Sequence, residues 1–461
     1  MSDEEHRGRG VPRLLLVAVL FGTPLNPLNS SMIAVALDRL QIDFRTDLLT
    51  VTWLVNGFYL AAAVAQPLMG RVADRFGPRR TFIAGLCLVA LTGIAAPFVP
   101  NLGSLIVIRV LQALGTSTAY PAALAMMRAT SGGRPPARAL GVLSIASNAT
   151  AGLGPVFGGV FVTLAGWQAL FLINIPIAAV GIVLSALWLP PDPVRPRRGG
   201  ALEALWLMDP VGVVLFTIAV AALLGFLVTS TAGPIWPLLA LPPIAAVLLG
   251  LYEWRRRSPF LDVRLLARRP RLLGVYGQFL LVNFVFYGVF YGFPLWFEQA
   301  RGLSVFAAGL LLLPVAGMGV VVTPVAARMI ERWGTRVPLV VGAAFMVAGS
   351  ALVLLLTLGS SIPAIVGIGL VEGVPTALNS LGLQTALYAN APASQMGTAG
   401  GLLQTSRYLG AILMTTILGL LFGARASVAG LHEIALLMLA VSVLVLVLSV
   451  LSSDRPRGAD G

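Results

Sequence analysis

Long apolar runs follow one another along almost the whole chain. Hydrophobic residues make up 57% of the 461 residues and charged ones 11%, against about 45–50% and about 25% in soluble domains. A helix that crosses a bilayer needs about 20 predominantly apolar residues. The absence of strand-like alternation makes these runs helices, so the chain is predicted to be an all-α polytopic membrane protein. Fourteen such runs lie at 14–37, 49–70, 81–99, 103–127, 138–164, 167–189, 209–229, 234–252, 272–297, 303–328, 337–358, 361–388, 396–423 and 431–452.

The arginines indicate how the helices are oriented. All 31 basic residues are Arg, and the formal net charge is +13. With a cytoplasmic N-terminus, 25 of them fall in cytoplasmic segments, four fall outside, and Arg109 and Arg407 fall within spans. Because basic residues stay preferentially on the cytoplasmic side, both termini are predicted to be cytoplasmic. The same rule accounts for the positive net charge, so no nucleic-acid partner is predicted. Cys87 is the only cysteine of the sequence, which excludes a disulfide within the chain.

One charged segment occurs twice. GRVADRFGPRR (70–80) follows the second run, and ARMIERWGTRV (327–337) follows the tenth. A repeat of six spans leaves the seventh and eighth runs as an inserted pair. We therefore predict two six-helix bundles in pseudo-twofold repeat, at 1–198 and 259–461, with an inserted two-helix hairpin at 199–258. Bundles repeated in this way are typical of transporters that rock around a midplane site.

The repeated segment resembles the loop motif of the major facilitator superfamily. Residues 108–117 (IRVLQALGTS) resemble its fourth-span pattern, and residues 152–160 (GLGPVFGGV) resemble its fifth-span antiporter motif. Residues 166–177 (GWQALFLINIPI) are similar to the start of the sixth span in its fourteen-span drug:proton antiporter branch. The resemblance implies export of drugs or antibiotics in exchange for protons by alternating access.

One departure from the pattern of that branch bears on proton coupling. Its first span usually carries an Asp where this chain has Asn29. An amide side chain cannot take up and release a proton in the way that a carboxylate does. The resemblance therefore does not extend to a proton-carrying carboxylate at this position of the amino-terminal bundle, and a uniporter, a symporter or a lipid flippase of the same fold stays open.

Gating is predicted for the loop motif, its second copy and the fifth-span motif. Glycines permit a tight turn in the loop, and its acids can accept hydrogen bonds at a helix start or pair with its arginines. A solvated basic loop is the alternative. In the fifth span, a proline bends the helix and small residues permit close packing, which is also common in ordinary membrane bundles. The candidate gating residues are Gly70, Arg71, Asp74, Arg75, Gly77, Arg79, Gly154, Pro155, Gly158, Gly159, Glu331 and Arg332.

Polar residues recur on single faces of several predicted spans. Such faces either line a wet interior or hold helices together by hydrogen bonds. The ninth span contains tyrosines among phenylalanines. These rings either form an aromatic wall that suits flat or cationic compounds, or the phenylalanines face lipid. The candidate cavity residues are Asn26, Asn29, Asn56, Tyr59, Gln112, Asn148, Asn283, Tyr287 and Tyr291.

Ionisable groups within spans are costly, and each is therefore a functional candidate. At a rise of about 1.5 Å per residue, Arg109 and Asn29 lie about 9 and about 12 Å from the outer end and can meet. Glu372 and Arg407 lie about 17 Å in, near the midplane. Glu372 is the only mid-span carboxylate, so we predict that it carries the exchanged proton and that Arg407 and Arg109 assist the coupling. A static ion pair between Glu372 and Arg407 is the alternative.

Together these patterns predict a secondary transporter that exports small apolar or cationic organic compounds in exchange for protons. We expect a monomer without a cofactor in the plasma membrane of a prokaryote. No phosphate-binding loop, zinc-protease motif or nucleophile elbow occurs in the sequence, so no enzyme is predicted. A non-transporting membrane receptor or an intramembrane enzyme is the remaining alternative.

Overall fold

A computed structural model describes most of the chain, and its regular secondary structure is helical throughout the described ranges. These ranges are 11–46, 48–131, 137–192, 209–229, 236–256, 259, 263–391, 396–422 and 426–451. The linker 193–208 and both terminal segments lie outside them, as do the arginines that the orientation prediction places there.

The described chain up to residue 192 forms ten α-helices. They are α1 (Arg13–Val19), α2 (Leu25–Met32), α3 (Leu37–Phe44), α4 (Leu48–Phe76), α5 (Pro78–Ala95), α6 (Leu102–Ser117), α7 (Ala119–Thr130), α8 (Ala137–Ala165), α9 (Ala169–Leu172) and α10 (Asn174–Trp188).

The described chain from residue 209 onward forms ten more. They are α11 (Pro210–Thr229), α12 (Trp236–Arg255), α13 (Val263–Arg268), α14 (Pro270–Gln299), α15 (Val305–Leu310), α16 (Leu313–Trp333), α17 (Arg336–Val353), α18 (Ile362–Asn390), α19 (Met396–Phe422) and α20 (Val428–Leu451).

Several helices begin at capping residues that the sequence supplies. The side chain of Asn101 accepts a hydrogen bond from the main-chain N–H of Ser104 at the start of α6. Ser304 caps α15 and Ser361 caps α18 in the same way. Each cap provides an acceptor for a main-chain N–H that has no partner within the helix.

Ten helical segments in the described part of the chain are long and apolar enough to cross a membrane. They coincide with predicted spans 3 to 6 and 9 to 14, which confirms a multi-pass membrane protein. A shorter apolar segment, Pro210–Leu223, lies in predicted span 7. The ten segments are Pro78–Phe98, Leu102–Thr130, Arg138–Ala165, Ala169–Trp188, Pro270–Gln299, Phe306–Trp333, Arg336–Val353, Ile362–Asn390, Ala399–Phe422 and Val428–Leu451.

The first apolar run is divided into several short helices. α1 ends at Val19, Pro24 precedes the first residue of α2, and a 3₁₀ turn (Ile33–Ala36) separates α2 from α3. Proline lacks an N–H group, and its ring blocks a helix on its amino-terminal side. The break at Pro24 places Asn26 and Asn29 together on the short helix α2.

The helices form an amino-terminal half (α1–α10) and a carboxy-terminal half (α14–α20) that meet along two seams, where α4 packs on α19 and α8 packs on α16. A Cβ atom at Gly401 of α19 would overlap the main chain at Gln66 and Pro67 of α4. A Cβ atom at Gly152 of α8 would overlap Ala316 of α16. Small residues therefore bring the helices of both seams into close contact.

The fifth-span motif lies on α8. Pro155 is inside this helix, and a Cβ atom at Gly154 would overlap the Ser31 side chain of α2. Gly158 is buried, whereas a Cβ atom at Gly159 would meet no described residue within 4 Å. Close packing therefore accounts for Gly154 but not for Gly159.

Helices α11 and α12, the pair predicted to be inserted, pack on each other, and α11 lies against both α4 and α19. Phe216, Val220 and Leu249 join one apolar cluster with Phe58 of α4 and Tyr408 of α19. The hairpin thus contacts both halves of the protein.

Candidate functional site

A buried polar cluster joins α2, α6 and α10 in the amino-terminal half. Arg109 Nη1 donates to Gln112 Oε1 at 2.7 Å, and Gln112 Nε2 donates to Asn29 Oδ1 at 3.1 Å. Asn174 Nδ2 also donates to Asn29 Oδ1, at 3.0 Å. The structure therefore brings Arg109 and Asn29 together and adds Asn174, to which the sequence prediction assigned no role.

Arg109 is only 2% exposed, and its charge is stabilised without a carboxylate contact among the described ion pairs. Its Nη2 donates to the main-chain oxygen of Asn29 at 3.3 Å. Its guanidinium carbon lies 4.4 Å from the ring centre of Phe58 and 5.9 Å from that of Phe171. Main-chain oxygens and aromatic faces thus compensate for the lost hydration of the guanidinium.

Tyrosine hydroxyls connect the two halves at the α4–α19 seam. Tyr59 of α4 hydrogen-bonds Tyr291 of α14, and Tyr408 of α19 donates to Asn26 of α2. The rings of Tyr287 and Tyr291 stack with their centres 5.6 Å apart. We call Tyr59, Tyr287, Tyr291 and Tyr408 the tyrosine bridge.

A cavity of about 50 Å³ lies between the halves. At roughly 10–15 Å³ of such space per water molecule, it holds a few waters but no drug-sized compound. The two halves must separate at one end before a substrate of that size can enter. The residues that line it are Tyr120, Ser144, Ser147, Phe279, Val282, Asn283, Val285, Phe286, Met346, Glu372, Pro375, Thr376, Ser380, Gln384, Gln404 and Arg407.

Glu372 and Arg407 both line this cavity, but they are not joined by an ion pair among the described residues. Glu372 is 4% exposed, its carboxyl group lies against Gly349 of α17, and its Oε1 atom has no hydrogen-bond partner among the residues that the structure describes. Arg407 Nε donates to the hydroxyl of Tyr287 at 3.2 Å. The static ion pair between Glu372 and Arg407, which the sequence left open, is therefore not formed among the described residues.

The ninth-span aromatic residues face the protein interior. Phe284, Phe290 and Phe293 of α14 are buried, and Phe286 lines the cavity. The alternative that these four rings face lipid is therefore wrong. Asn283 also lines the cavity, and its amide donates to Phe279 O at 2.7 Å. Asn56 is half-buried on α4, and the side chain of Asn148 lies outside the described part of the structure.

The two halves also meet near the end of the protein where residues 71–80 and 328–336 lie, which we call the arginine-rich end. Tyr120 donates to Gln384 Oε1 at 2.6 Å, and Thr405 donates to the main-chain oxygen of Ala63 at the same distance. Each hydrogen bond runs from one half to the other. Because Tyr120 and Gln384 both line the cavity, their hydrogen bond joins the two halves at the cavity wall.

The loop motif at the arginine-rich end is held by a residue that the sequence did not single out. Asp192, which follows α10, accepts hydrogen bonds from the main-chain N–H groups of Arg79 and Arg80 at 2.9 and 3.0 Å. The sequence predicted that Asp74 could accept hydrogen bonds from main-chain N–H groups at a helix start. At the start of α5, Asp192 accepts these hydrogen bonds. Gly77 adopts a φ of +104°, and a Cβ atom there would overlap the Asp192 carboxylate. Only glycine therefore fits this turn without strain.

The second copy of the motif contacts the opposite half. Glu331 at the end of α16 forms a two-point ion pair with Arg138 of α8, at 3.0 and 3.3 Å. Glu331 and Arg332 are both among the predicted gating residues, and Arg332 is exposed. The Arg138–Glu331 pair crosses the α8–α16 seam between the two halves.

A buried acidic cluster joins the inserted hairpin to the loop motif. Asp209 and Glu253 are both 0% exposed, and Tyr252 donates to Asp209 Oδ1 at 2.9 Å. Arg256 Nε lies 3.7 Å from the same oxygen. Arg71 of α4 lies within electrostatic range of Asp209, Glu253 and Asp74. The remaining loop candidates, Gly70 and Arg75, are buried and half-buried respectively.

Residues 19–415 match the sequence profile of the family described as the Major Facilitator Superfamily. The chain belongs to this superfamily. It is therefore a multi-pass membrane transporter and not an enzyme, since the profile covers most of the helical bundle described above.

Relatives with known names agree with this assignment. The chain is 38% identical over 434 residues to the uncharacterized MFS-type transporter YwoD of Bacillus subtilis (strain 168), covering 92% of this chain and 94% of the relative. It is 32% identical over 433 residues to the tetracenomycin C resistance and export protein of Streptomyces glaucescens, covering 91% of this chain and 77% of the relative.

The fold also resembles a solved transporter structure. The crystal structure of the human organic anion transporter MFSD10 (TETRAN) superposes with a TM-score of 0.64 at 15% sequence identity. The match covers 95% of this chain and 99% of that chain. At this identity the likeness concerns the arrangement of the helices.

Proposed function

We propose that the protein is a proton-coupled exporter of small, largely apolar organic compounds. Similarity to a protein named for antibiotic resistance and export supports the direction of transport. The observation that carries the proposal is the position of Glu372, a buried carboxyl group in the wall of a cavity between the two halves. Phe279, Phe286 and Met346 in the same wall support an apolar substrate.

The proposed architecture has fourteen spans in a prokaryotic plasma membrane, with both termini cytoplasmic. Besides the ten apolar segments, the helices α1–α3, α4, α11 and α12 supply the other four spans. Two six-helix bundles, at 1–198 and 259–461, then flank the hairpin at 199–258. The arginine-rich end is the cytoplasmic end in this arrangement, in keeping with the rule for basic residues.

Transport follows from alternate opening of the two ends. The inter-half hydrogen bonds of Tyr120 and Thr405, together with the Arg138–Glu331 ion pair, break when the arginine-rich end opens. A compound then enters the enlarged cavity beside Glu372. Because burial disfavours a charged carboxylate, protonation of Glu372 or its contact with substrate determines when the halves can close again.

The test is substrate-induced proton release from the purified full-length protein in weak buffer. Ethidium, chosen as a flat cationic probe, and any compounds found to be exported by cells that express the protein are added, and the pH change is recorded. Release in proportion to bound compound supports exchange. Transport of the same compounds by proteoliposomes without any proton release would instead support the uniporter alternative, and uptake of both together would support a symporter.

A further inference from the structure

The inserted hairpin lies across a seam that has to open during alternating access. Its helix α11 contacts both α4 in the amino-terminal half and α19 in the carboxy-terminal half. The contact is apolar and includes Phe216 and Val220 of the hairpin, Phe58 of α4 and Tyr408 of α19. When α4 and α19 move apart, the hairpin cannot keep both contacts.

The hairpin has a polar anchor at the arginine-rich end. Asp209 is fully buried directly before α11, and its φ of +57° is uncommon for a residue other than glycine. Its Oδ1 atom accepts hydrogen bonds from the main-chain N–H of Gly212 at 3.1 Å and from the hydroxyl of Tyr252 at 2.9 Å. These bonds cap α11 and tie it to α12.

The charge of this anchor reaches the amino-terminal half. Arg71 on α4 lies within electrostatic range of Asp209 and Glu253. Leu68 and Val213, about one helical turn from Arg71 and Asp209, pack against the same apolar cluster, so α4 and α11 are in contact at this level. A Cβ atom at Gly212 would meet oxygens of both carboxylates, so the two acids lie side by side. Arg256 supplies a second positive charge 3.7 Å from Asp209. The cluster thus combines buried acids with arginines from the hairpin and from α4.

We propose that Asp209 is a positioning residue which, through Arg71, fastens the inserted hairpin to the amino-terminal half and thereby holds the arginine-rich end closed. The contact with α4 contains buried charges, and separating such charges is much more costly than sliding one apolar surface along another. The contact with α19 is apolar and is the one that separates. The hairpin therefore moves with α4 and braces the seam until α19 leaves it.

This inference rests on the alternating access of the proposed function, but its test needs neither a substrate nor a proton gradient. In a Cys87→Ala background, Ser144→Cys places one thiol in the cavity wall. A membrane-impermeant maleimide is then applied to the arginine-rich side of everted vesicles. The labelling rate reports how often that end opens, whether or not the protein exchanges protons.

Asp209→Asn keeps an acceptor oxygen but removes the negative charge that faces Arg71, and it is expected to raise the labelling rate roughly tenfold, the lower end of what a hydrogen bond to a charged group contributes. Tyr252→Phe should give a smaller increase, and Asp209→Glu should restore most of the slow rate. Arg71→Gln should resemble Asp209→Asn, and the double variant should be no faster than either, because both act through one contact. Asp43→Asn, the same chemical change at an exposed ion pair with Arg39, is the matched control and should have no effect.

Unchanged labelling in Asp209→Asn, or independent and multiplicative effects of Asp209→Asn and Arg71→Gln, would overturn the proposal. If Asp209→Asn does not insert into the membrane, Tyr252→Phe and Arg71→Gln decide the matter by the same measurement. Faster labelling in Asp43→Asn as well would show a general loosening of the protein and would also count against it.

Discussion

Tyr408 on α19 donates its hydroxyl hydrogen to the Oδ1 atom of Asn26 on α2, so that this member of the tyrosine bridge joins the two halves by a hydrogen bond. Asn26 in turn donates to Thr116 of α6 at 3.1 Å. The contact reaches the same helix that carries Arg109. It links the inter-half seam with the polar cluster of the amino-terminal half.

We expect Tyr408→Phe to weaken this link. The ring contacts remain, but a buried Asn26 oxygen loses its donor, at a cost of about 1–3 kcal/mol. Faster labelling of Ser144→Cys and a lower unfolding temperature in detergent are the expected results. Tyr276→Phe is the matched control, because Tyr276 bonds Ala399 O within the carboxy-terminal half. Equal labelling rates for the two variants would contradict the expectation.

The meeting of Arg109 with Asn29 could be anticipated from the sequence because helical rise converts residue number into depth. The same arithmetic placed Glu372 and Arg407 on one cavity. It could not show that Arg407 bonds Tyr287 rather than Glu372, because the direction of a side chain depends on how helices rotate against each other.

Contacts between remote segments were beyond the sequence patterns. Asp192 lies in a Pro-rich stretch that is typical of a linker. It can accept hydrogen bonds from Arg79 and Arg80 because the end of α10 lies beside the start of α5. Arg138 and Glu331 are likewise brought together by packing across a seam. A single sequence contains no spacing rule that predicts such pairs. The loop motif and the apolar runs could be predicted because they recur along the sequence itself.

Asp192→Ala should destabilise the arginine-rich end. Two main-chain N–H groups at the start of α5 would lose their acceptor, which typically costs about 0.5–2 kcal/mol for a helix cap. The measurement is the thermal unfolding midpoint of the purified protein. Asp192→Asn keeps one acceptor oxygen and should lie between the parent and Asp192→Ala. An unfolding midpoint of Asp192→Ala equal to that of the parent would rule out the capping role.

Asn29→Asp should be tolerated and should change the pH profile of transport. The new carboxylate would lie beside Arg109 and keep its two donors, Gln112 and Asn174. It would lose the two hydrogen bonds that Asn29 Nδ2 gives to Leu25 O and to Asn174 Oδ1. A group that can carry charge would then enter a cluster that is neutral apart from Arg109. Transport is measured across a series of pH values at matched expression. A profile identical to that of the parent would show that position 29 does not take part in coupling.

Asp74→Asn should impair transport while leaving membrane insertion intact. Asp74 contributes favourably to the electrostatic environment of Arg71, the residue of α4 that also faces Asp209 and Glu253. Removing its charge therefore weakens the loop motif without disturbing the apolar spans. Glu331→Gln is the comparison on the second copy and should have a smaller effect, since exposed ion pairs contribute about 0.2–1 kcal/mol. Equal transport by Asp74→Asn and the parent would contradict the gating role.

Glu372→Gln should separate proton coupling from binding. Glutamine keeps the size and polarity of the side chain, so its fit against Gly349 and the cavity volume are preserved, but it cannot release a proton. We expect this variant to lose efflux driven by a pH gradient while retaining downhill exchange of a compound such as ethidium. Substrate-induced proton release should fall to the level of protein-free buffer. Arg407→Gln, which breaks the contact with Tyr287 but leaves the carboxyl group in place, should reduce the rate of transport and still release protons. Proton release by Glu372→Gln equal to that of the parent would place the coupling group elsewhere in the chain and leave Glu372 as a substrate contact.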